Sequence, residues 1–332
     1  MKLAISKTVL FTMSLTIALL AIPANAVLNE LVGSSESHSI EKFNSAGTWT
    51  RTFASTGPWI PFGIAVSPVT NDVFVATNTG PTTNIILRYT QSGAEFGPGG
   101  SYWSTFDVFP YFSQNPVQSL AFDISGNLYV ASGYGTSGYQ VVILKFPPAQ
   151  LKLKTPVPSP TKIPTTVGRG NQMALNVFGD ICISSFIAPN TVQCYNPTTA
   201  ALTFDYATEI QTAGIQPVGL SFGPNNNLTV NSVFTGEIWV EAVEQMGPMN
   251  LLASGMIHDV GYITAESGML YMPSYHNPEG RYEGTPFCYF YGCMDYDTSS
   301  DIVYKIDPGT GTVTKFISTH IWGPYQMIFV PF

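Results

Sequence analysis

The chain ends with Gly323-Pro324-Tyr325-Gln326-Met327-Ile328-Phe329-Val330-Pro331-Phe332, a strand-like stretch that repeats a unit begun five times earlier. The earlier copies of this apolar first strand begin at Pro61, Pro116, Gly170, Pro217 and Asp259. Each earlier copy is followed by more strands, whereas the last copy stops after one. Another part of the chain must therefore complete the final unit.

The earlier copies each continue into a second and a third short strand after turns. In the first unit these strands are Asp72–Ala76 and Ile85–Tyr89, and in the second they are Asn127–Ala131 and Val141–Phe146. Repeats of about 50 residues built from four strands are typical of propeller blades, which bury their faces only against neighbouring blades. The repeats predict an all-β, six-bladed β-propeller of four-stranded blades.

The N-terminal part of the chain offers three strands that lack a first one. These are Leu28–Val32, Ser39–Phe43 and Trp49–Phe53. We expect strand 324–332 to pair with strands 28–53, because a blade shared by both termini closes the ring and leaves only short, protected edges.

The first 26 residues carry Lys2 and Lys7, an apolar run from Val9 to Ile22, and the small residues Ala24-Asn25-Ala26. This order is typical of a secretory signal. The apolar run is shorter than the ~20 residues that a membrane span requires. The sequence thus predicts a signal peptide at 1–26, one propeller domain at 27–332, and a secreted or periplasmic protein with no transmembrane segment after cleavage.

The charge of the chain argues against one class of partner. Without Lys2 and Lys7, 11 of the 13 basic residues remain against 21 acidic ones. This excess of acid disfavours nucleic acid as a partner.

Two stretches depart from the repeat. Residues 147–164 are rich in Pro and Lys and predict an extended excursion. Residues 274–301 form an insertion between the second and third strands of the fifth unit, and loops of this length are usually functional or disordered.

The four cysteines suggest two local disulfides. Cys182 and Cys194 lie at equal distances from a turn at Ala188, so an antiparallel hairpin would place them opposite each other. Cys288 and Cys293 would close a small loop within the insertion. A zinc site is the alternative, although the chain offers no second pair at matching spacing.

The four histidines, His38, His258, His276 and His320, all fall on one face of the predicted propeller. His258, His276 and His320 belong to neighbouring blades and would converge beside Asp259. Imidazole and carboxylate together can hold a divalent metal or supply a general base. These three histidines are catalytic candidates, and His258, Asp259 and His320 are candidate ligands for Ca²⁺ or Mg²⁺. Structural roles for each histidine are the alternative.

Two further sets of residues are candidate ligand contacts. The third positions of the aligned first strands are Gly63, Gln118, Gln172, Gly219, Gly261 and Gln326. Gln118, Gln172 and Gln326 could hold a neutral polar ligand such as a sugar, or could satisfy water and neighbouring backbone groups. The insertion supplies Tyr275, Tyr282 and Tyr289, which form either a binding surface or the core of the insertion itself.

The units that begin at Pro61 and Leu120 and end at Ala76 and Ala131 resemble those of the NHL-repeat and streptogramin-lyase-like propellers. Resemblance to the streptogramin lyases implies a magnesium-assisted elimination that uses His and Glu. Resemblance to the gluconolactonase-like propellers implies a divalent metal at the axis, held by acidic and amide residues, with Asp259 and the glutamine ring as the matching features.

The sequence contains no nucleophile elbow, phosphate loop or dinucleotide fingerprint. We therefore expect a binding or interaction module that uses the loop face carrying the histidines and the insertion. Its partner would be an extracellular or envelope protein, a glycan or a polar small molecule. The alternative is a divalent-metal-dependent lyase or lactonase that acts on a polar small molecule or sugar.

Overall fold

The computed structural model describes residues 28–35, 37–78, 84–95, 105–107, 117–132, 141–152, 160–187, 189–223, 225–233, 235–242, 247–256, 261–274 and 301–332. The strands in these ranges are β1 (Asn29–Ser34), β2 (Ser39–Phe43), β3 (Trp49–Ser55), β4 (Ile60–Val66), β5 (Val73–Asn78), β6 (Asn84–Tyr89), β7 (Thr105–Asp107), β8 (Val117–Phe122), β9 (Leu128–Ser132), β10 (Val142–Phe146), β11 (Thr161–Pro164), β12 (Met173–Leu175), β13 (Ile181–Ser185), β14 (Thr191–Tyr195), β15 (Leu202–Asp205), β16 (Pro217–Phe222), β17 (Leu228–Ser232), β18 (Glu237–Glu241), β19 (Met249–Ala253), β20 (Thr264–Glu266), β21 (Met269–Ser274), β22 (Ile302–Ile306), β23 (Val313–Ile317) and β24 (Pro324–Val330).

The strands form six antiparallel sheets of four, which confirms the predicted six-bladed propeller. Blades 1 to 5 are β4–β7, β8–β11, β12–β15, β16–β19 and β20–β23, each in chain order from the axis outward. A 3₁₀ turn at Gln150–Lys152 and one short helix, α1 (Ala207–Thr212), connect strands.

The sixth sheet, here called the closing blade, has the strand order β24-β1-β2-β3. The C-terminal strand β24 lies beside β1, with Glu30 opposite Phe329 and Val32 opposite Met327. The predicted pairing of the two termini is therefore confirmed, and the N-terminal strands begin within one residue of their predicted starts.

The core consists of one apolar cluster between each pair of neighbouring blades. Between blades 1 and 2, for example, Phe74 and Ile86 pack with Leu120, Val130 and Leu144. Because alternate side chains of a strand point to opposite faces of its sheet, each blade supplies side chains to both neighbouring clusters. The ring is held together by these face-to-face contacts.

Two local predictions are resolved by strand pairing. Cys182 lies opposite Cys194 in the β13–β14 pair, and the two form a disulfide. The excursion at 147–164 was predicted to lie outside the repeat, which is wrong for its last residues, because Thr161–Pro164 forms the outer strand of blade 2. The composition of this segment, rich in lysine and proline, gave no sign of a strand. An outer strand needs little apolar character, since one of its edges is exposed.

Candidate functional site

The loops that lead into the first strands and the loops that join the second and third strands share one face, here called the loop face. His258, Asp259, His276, Tyr275, Tyr282 and Tyr289 lie outside the described residues, as do Cys288 and Cys293. Their convergence therefore stays a prediction. The described candidates are His38 and His320 on this face and Gln118, Gln172 and Gln326 on the first strands.

The six first strands are aligned in space by their pairing with the second strands. One buried residue lies in each first strand, or directly before it in the case of Ile263, and is here called the anchor: Ile64, Leu120, Met173, Leu220, Ile263 and Met327. The residues just before the anchors form a ring that we call the belt: Gly63, Ser119, Gln172, Gly219, Tyr262 and Gln326. The residues before those form the upper layer: Phe62, Gln118, Asn171, Val218, Gly261 and Tyr325.

This register differs from the sequence alignment in two blades. Gln118 and Gly261, which the sequence placed beside Gln172 and Gln326, lie one residue higher, in the upper layer. The difference arises because the sequence alignment was set on the first residue of each copy. Pro116 and Asp259 lie four residues before their anchors, whereas the first residue of each other copy lies three residues before its anchor.

Belt side chains tie three pairs of neighbouring blades together. The Ile64 N–H of blade 1 donates to Gln326 Oε1 of the closing blade at 2.6 Å. The Met173 N–H donates to Ser119 Oγ at 2.8 Å, and the Leu220 N–H donates to Gln172 Oε1 at 2.9 Å. Three belt side chains thus accept from the anchor of the following blade, which satisfies buried backbone donors where adjacent blades have no strand-to-strand ladder.

Gln172 extends this pattern across three blades. Its Oε1 also accepts from the Ile263 N–H at 2.9 Å, and its Nε2 donates to the Ile263 carbonyl oxygen at 2.7 Å. Gly219 of the intervening blade leaves room for this reach, because a Cβ there would lie 2.7 Å from the Ile263 nitrogen and 3.1 Å from Gln172 Oε1. The amides of Gln172 and Gln326 are therefore engaged by protein groups.

Aromatic side chains fill the axis beside the belt. Tyr262 packs edge-on against Tyr325 with ring centroids 4.8 Å apart, and Phe62 packs against Tyr325 at 5.1 Å. The Tyr262 hydroxyl reaches the Gln118 carbonyl oxygen, at 3.5 Å, from the opposite side of the ring. Together with Val218, Val233 and Phe186, these rings form one cluster, here called the axial cluster.

Gln118 differs from the two belt glutamines. Its side chain is fully buried, yet neither its Nε2 nor its Oε1 has a hydrogen-bond partner within the described part of the chain. Asn171, at the same level of the next blade, is 1% exposed and its Nδ2 is also without a described partner. Two adjacent upper-layer amides thus bring unused hydrogen-bonding capacity to the axis.

A second group of residues lies at the seam between blade 5 and the closing blade. The rings of Trp49 and His320 stack with centroids 4.5 Å apart and an interplanar angle of 13°. Trp49 is 37% exposed and Trp322 is 39% exposed. We call Trp49, His320 and Trp322 the seam patch.

The seam patch is held from beneath by buried polar groups. The Trp49 indole N–H donates to Glu41 Oε2 at 2.8 Å, while the other oxygen of Glu41 accepts from Ser39 Oγ at 2.7 Å. The Trp322 N–H donates to Ser34 Oγ at 2.8 Å, and Ser34 Oγ contacts the Trp322 carbonyl oxygen at 2.9 Å. These bonds hold the indole of Trp49 and the backbone of Trp322 in place before any partner arrives.

His38 and His320 both have left-handed backbone conformations, with φ of 50° and 60°. Histidine is one of the few residue types enriched at such φ values. His38 also bonds through Nδ1 to the Gly57 carbonyl oxygen at 3.2 Å. Turn geometry therefore accounts in part for the placement of both residues on the loop face.

Glu30, a buried carboxyl on β1, lies away from the loop face. Burial raises its pKa from 4.5 to about 8, against smaller opposing effects of its own backbone and of Lys305. Burial, followed by the nearby Glu30, also raises the pKa of Tyr271 in blade 5. Glu30 thus lies desolvated in the closing blade opposite Phe43, which in turn lies opposite Trp49 of the seam patch.

Within the described ranges, no three His, Cys, Asp or Glu side chains come together as a metal site would require. No helix in those ranges is long and apolar enough to cross a membrane.

The chain is similar to known proteins in its fold. No protein-family model matches the sequence, and no curated protein matches it. A protein of unknown function from Bacteroides caccae is similar in structure, with 16% identity, a TM-score of 0.61, and coverage of 92% of this chain and 99% of the other. A chain of a nidogen/laminin complex has 12% identity, a TM-score of 0.64, and coverage of 91% and 98%.

Virginiamycin B lyase from Staphylococcus aureus, a streptogramin lyase, has 11% identity, a TM-score of 0.54, and coverage of 87% of this chain and 80% of its own. At this identity the likeness concerns the fold. The protein is a six-bladed β-propeller whose structural neighbours include NHL-like propellers and a streptogramin lyase, which confirms the resemblance seen in its repeats.

Sequence reasoning missed the seam patch and the role of Ser119. Trp49 and Trp322 stand near opposite ends of the chain, and only the closed ring brings them to one seam. Ser119 was missed because the copies were aligned on Pro116, which lies four residues before its anchor Leu120, whereas Pro61 lies three residues before Ile64.

Proposed function

We propose that this protein is a secreted or periplasmic interaction module that binds a partner protein through the seam patch, which His320 and Trp322 connect to the loop face. The carrying observation is the exposure of Trp49 and Trp322 near the ring of His320, which stacks on a Trp49 indole held by Glu41. Exposed tryptophans are enriched at the energetic centres of protein interfaces, where they bury large area with little loss of rotamer freedom.

Three features support this proposal. The Cys182–Cys194 disulfide and the leader-like residues 1–26 suit an oxidising compartment outside the cytoplasm. The belt and the axial cluster fill the middle of the ring, which favours surface contacts over a deep axial cleft. The nidogen/laminin neighbour shows that this fold occurs in a protein–protein complex.

The test measures capture of envelope or extracellular proteins by the mature chain and by three variants. Trp49→Ala and Trp322→Ala should each weaken capture of the same partner by about tenfold or more, which corresponds to at least ~1.4 kcal/mol per anchor. Leu251→Ala is the matched control, because Leu251 is 49% exposed on an outer strand of blade 4. Equal binding by all four proteins would contradict the proposal.

A further variant separates binding from the lyase or lactonase alternative. His320→Phe keeps a ring for stacking on Trp49 and removes both imidazole nitrogens. An interaction module should retain partner binding with this variant. Binding of a soluble glycan in place of a protein, or turnover of a lactone that is lost in His320→Phe, would replace the proposed function with its alternative.

A further inference from the structure

The face opposite the loop face, here called the turn face, carries exposed apolar residues on one side of the ring. It holds the turns that join first to second strands and third to fourth strands. In blades 1, 2 and 3 the turn after the first strand has an apolar tip, formed by Val69, Ile124 and Val177-Phe178. These side chains are between 57% and 96% exposed. The same turns of blades 4 and 5 carry Asn225 and Ser267, so the apolar tips belong to three successive blades.

Hydrogen bonds inside the turns hold two of these tips outward. In blade 2 the Asp123 carboxylate accepts from the Ser125 and Asn127 N–H groups at 3.0 and 2.9 Å. In blade 3 the Asn176 side-chain oxygen accepts from the Phe178 N–H at 3.0 Å. Side chains of Asp and Asn that bond the backbone two residues on are a common way to fix a turn. Both turns therefore present their apolar residues to solvent on a fixed backbone.

The tips lie among other apolar groups of the turn face. Val69 of blade 1 reaches the turn of blade 2, since a Cβ on Gly126 would lie 2.7 Å from Val69 Cγ2 and 3.3 Å from Cγ of Pro148. In blade 3 the ring of Phe178 stacks on that of Phe204 with centroids 6.2 Å apart. Exposed apolar side chains that are grouped indicate an interaction surface, whereas single ones need no explanation. We call this group the turn patch: Val69, Ile124, Val177 and Phe178.

The chain around the turn patch is basic, although the whole chain is acidic. Residues 124–179 contain no Asp or Glu, yet they hold five of the 11 basic residues that follow Lys7. Lys162 is exposed on β11, and Lys145 of β10 lies with its Nζ 3.5 Å from the Pro197 carbonyl oxygen in a turn of blade 3. The connection between β10 and β11, whose sequence includes Lys152 and Lys154, begins and ends on the turn face.

The described carboxylates nearest to the turn patch are engaged by protein groups. Asp72 pairs with Arg88, and Asp180 is buried and accepts from Thr203 Oγ1 at 2.9 Å. Asp123 is bonded within its own turn. Glu95 of blade 1 is exposed, but its turn packs on the closing blade, away from blade 2. Lysine therefore supplies the exposed charge beside the tips of blades 2 and 3.

Protruding apolar tips beside lysines suit a membrane surface that carries anionic lipid. Lysines attract anionic headgroups, and apolar side chains enter the boundary between headgroups and acyl chains. An acidic protein would also attract lysines, but the centre of a protein interface is a closely packed apolar core. Separate tips on three turns offer little of such a core, whereas each tip can enter lipid by itself.

We propose that the turn patch, together with Lys145 and Lys162, docks this protein on a membrane surface that contains anionic phospholipid. Ile124 and Phe178 insert among the headgroups, and the lysines lie against the lipid phosphates. This surface belongs to blades 1 to 3, whereas the seam patch belongs to blade 5 and the closing blade.

The test measures sedimentation of the mature chain with lipid vesicles. One set of vesicles is phosphatidylcholine alone, and the other is phosphatidylcholine and phosphatidylglycerol in equal parts. The chain should sediment with the anionic vesicles and not with the neutral ones, and high salt should weaken binding because it screens the lysines. Ile124→Asn and Phe178→Asn should each lower the partition coefficient by about fivefold or more, since each removes an inserted apolar side chain. Lys162→Gln should lower it by up to about fivefold.

Three variants serve as matched controls, and all should bind the anionic vesicles like the unaltered chain. Leu251→Asn changes an apolar residue that is 49% exposed on an outer strand of blade 4. Lys315→Gln changes an exposed lysine on the outer strand of blade 5. Trp49→Ala changes the seam patch, so its unchanged binding would separate the two surfaces.

Several results would overturn the proposal. These are absence of binding to the anionic vesicles, binding to the neutral vesicles of equal strength, and equal binding by the unaltered chain, Ile124→Asn and Phe178→Asn. A loss in Leu251→Asn or Trp49→Ala as large as that in Ile124→Asn would also overturn it. Binding of soluble polyglutamate without binding of vesicles would assign the surface to an acidic protein instead.

Discussion

Removal of residues 324–332 tests how the ring is closed. This deletion takes away the inner strand of the closing blade and its ladder with β1. It also removes the side chains of Tyr325, Met327 and Val330, which are at least nine-tenths buried. Burial of each such side chain contributes roughly 1.5–3 kcal/mol, so their loss alone costs about 5–9 kcal/mol.

This cost is comparable with the whole stability of a typical domain, which is about 5–15 kcal/mol. We therefore expect the truncated chain to lose cooperative unfolding in urea, followed by far-ultraviolet circular dichroism. A synthetic peptide of residues 318–332 added in trans should restore a cooperative transition, because it supplies the missing strand. A truncated chain that unfolds at the same urea concentration and with the same slope as the full chain would refute ring closure by β24.

A point substitution tests the hydrogen bond between Gln326 and the Ile64 N–H separately from the strand that carries Gln326. Gln326→Met keeps the size of the side chain and removes the acceptor for the Ile64 N–H. A buried donor left without a partner costs about 1–3 kcal/mol. Gln211→Met, on the exposed surface of α1, should change stability by less than ~0.5 kcal/mol. Equal stability of these two variants would mean that the belt bond contributes nothing.

Three further predictions concern stability, each measured by urea unfolding. Gly219→Ala should destabilise the fold by about 2 kcal/mol or more, because its Cβ would lie 2.7 Å from backbone and side-chain atoms. Gly223→Ala should be nearly neutral, because the nearest atom to a Cβ at Gly223 is 3.9 Å away. Equal effects of the two substitutions would contradict the belt packing. Replacing Cys182 and Cys194 by Ala should cost about 3 kcal/mol, as expected for closure of a short loop, and no loss would show that the bond does not constrain the unfolded chain. Because the pKa of Glu30 is raised, its contribution to the free energy of unfolding is fully present below pH 4.5 and is lost as pH rises to about 8, by at most ~4–5 kcal/mol. Glu30→Gln should make the free energy of unfolding less dependent on pH over this range. The same pH dependence in the variant and the unaltered chain would exclude Glu30 as its source.

The fold could be predicted because its signals are local and repeated. Five of the six first strands are apolar runs that begin at Pro or Gly, and the second strands of the first five units follow short turns, so the copies reinforce one another. Ring closure could be predicted by counting strands, because the last unit has one strand and the N-terminal part of the chain has the other three. The Cys182–Cys194 bond followed from the symmetry of one hairpin.

The chemistry at the axis could not be predicted in the same way. Pro61-Phe62 and Pro116-Val117 look equivalent in sequence, but Pro61 lies three residues before its anchor and Pro116 lies four. This extra residue places Gln118 in the upper layer and Ser119 in the belt. Whether a glutamine is engaged or free depends on a shift of one residue in register. An alignment set on the buried anchors would have placed Gln118 correctly, because a slip of one residue turns the other set of side chains toward the core.

The last strand and the loop before it connect the belt, the axial cluster and the seam patch. Gln326 ties the closing blade to blade 1, Tyr325 lies in the axial cluster, and His320 and Trp322 form the seam patch with Trp49. Because Trp49 comes from the N-terminal strands and Trp322 from the C-terminal segment, the seam patch exists only when the ring is closed. A partner that contacts both tryptophans therefore binds the closed ring alone and must stabilise it. Partner binding should consequently raise the melting temperature of the full chain and of the Gln326→Met variant alike, while Trp49→Ala abolishes the effect in both.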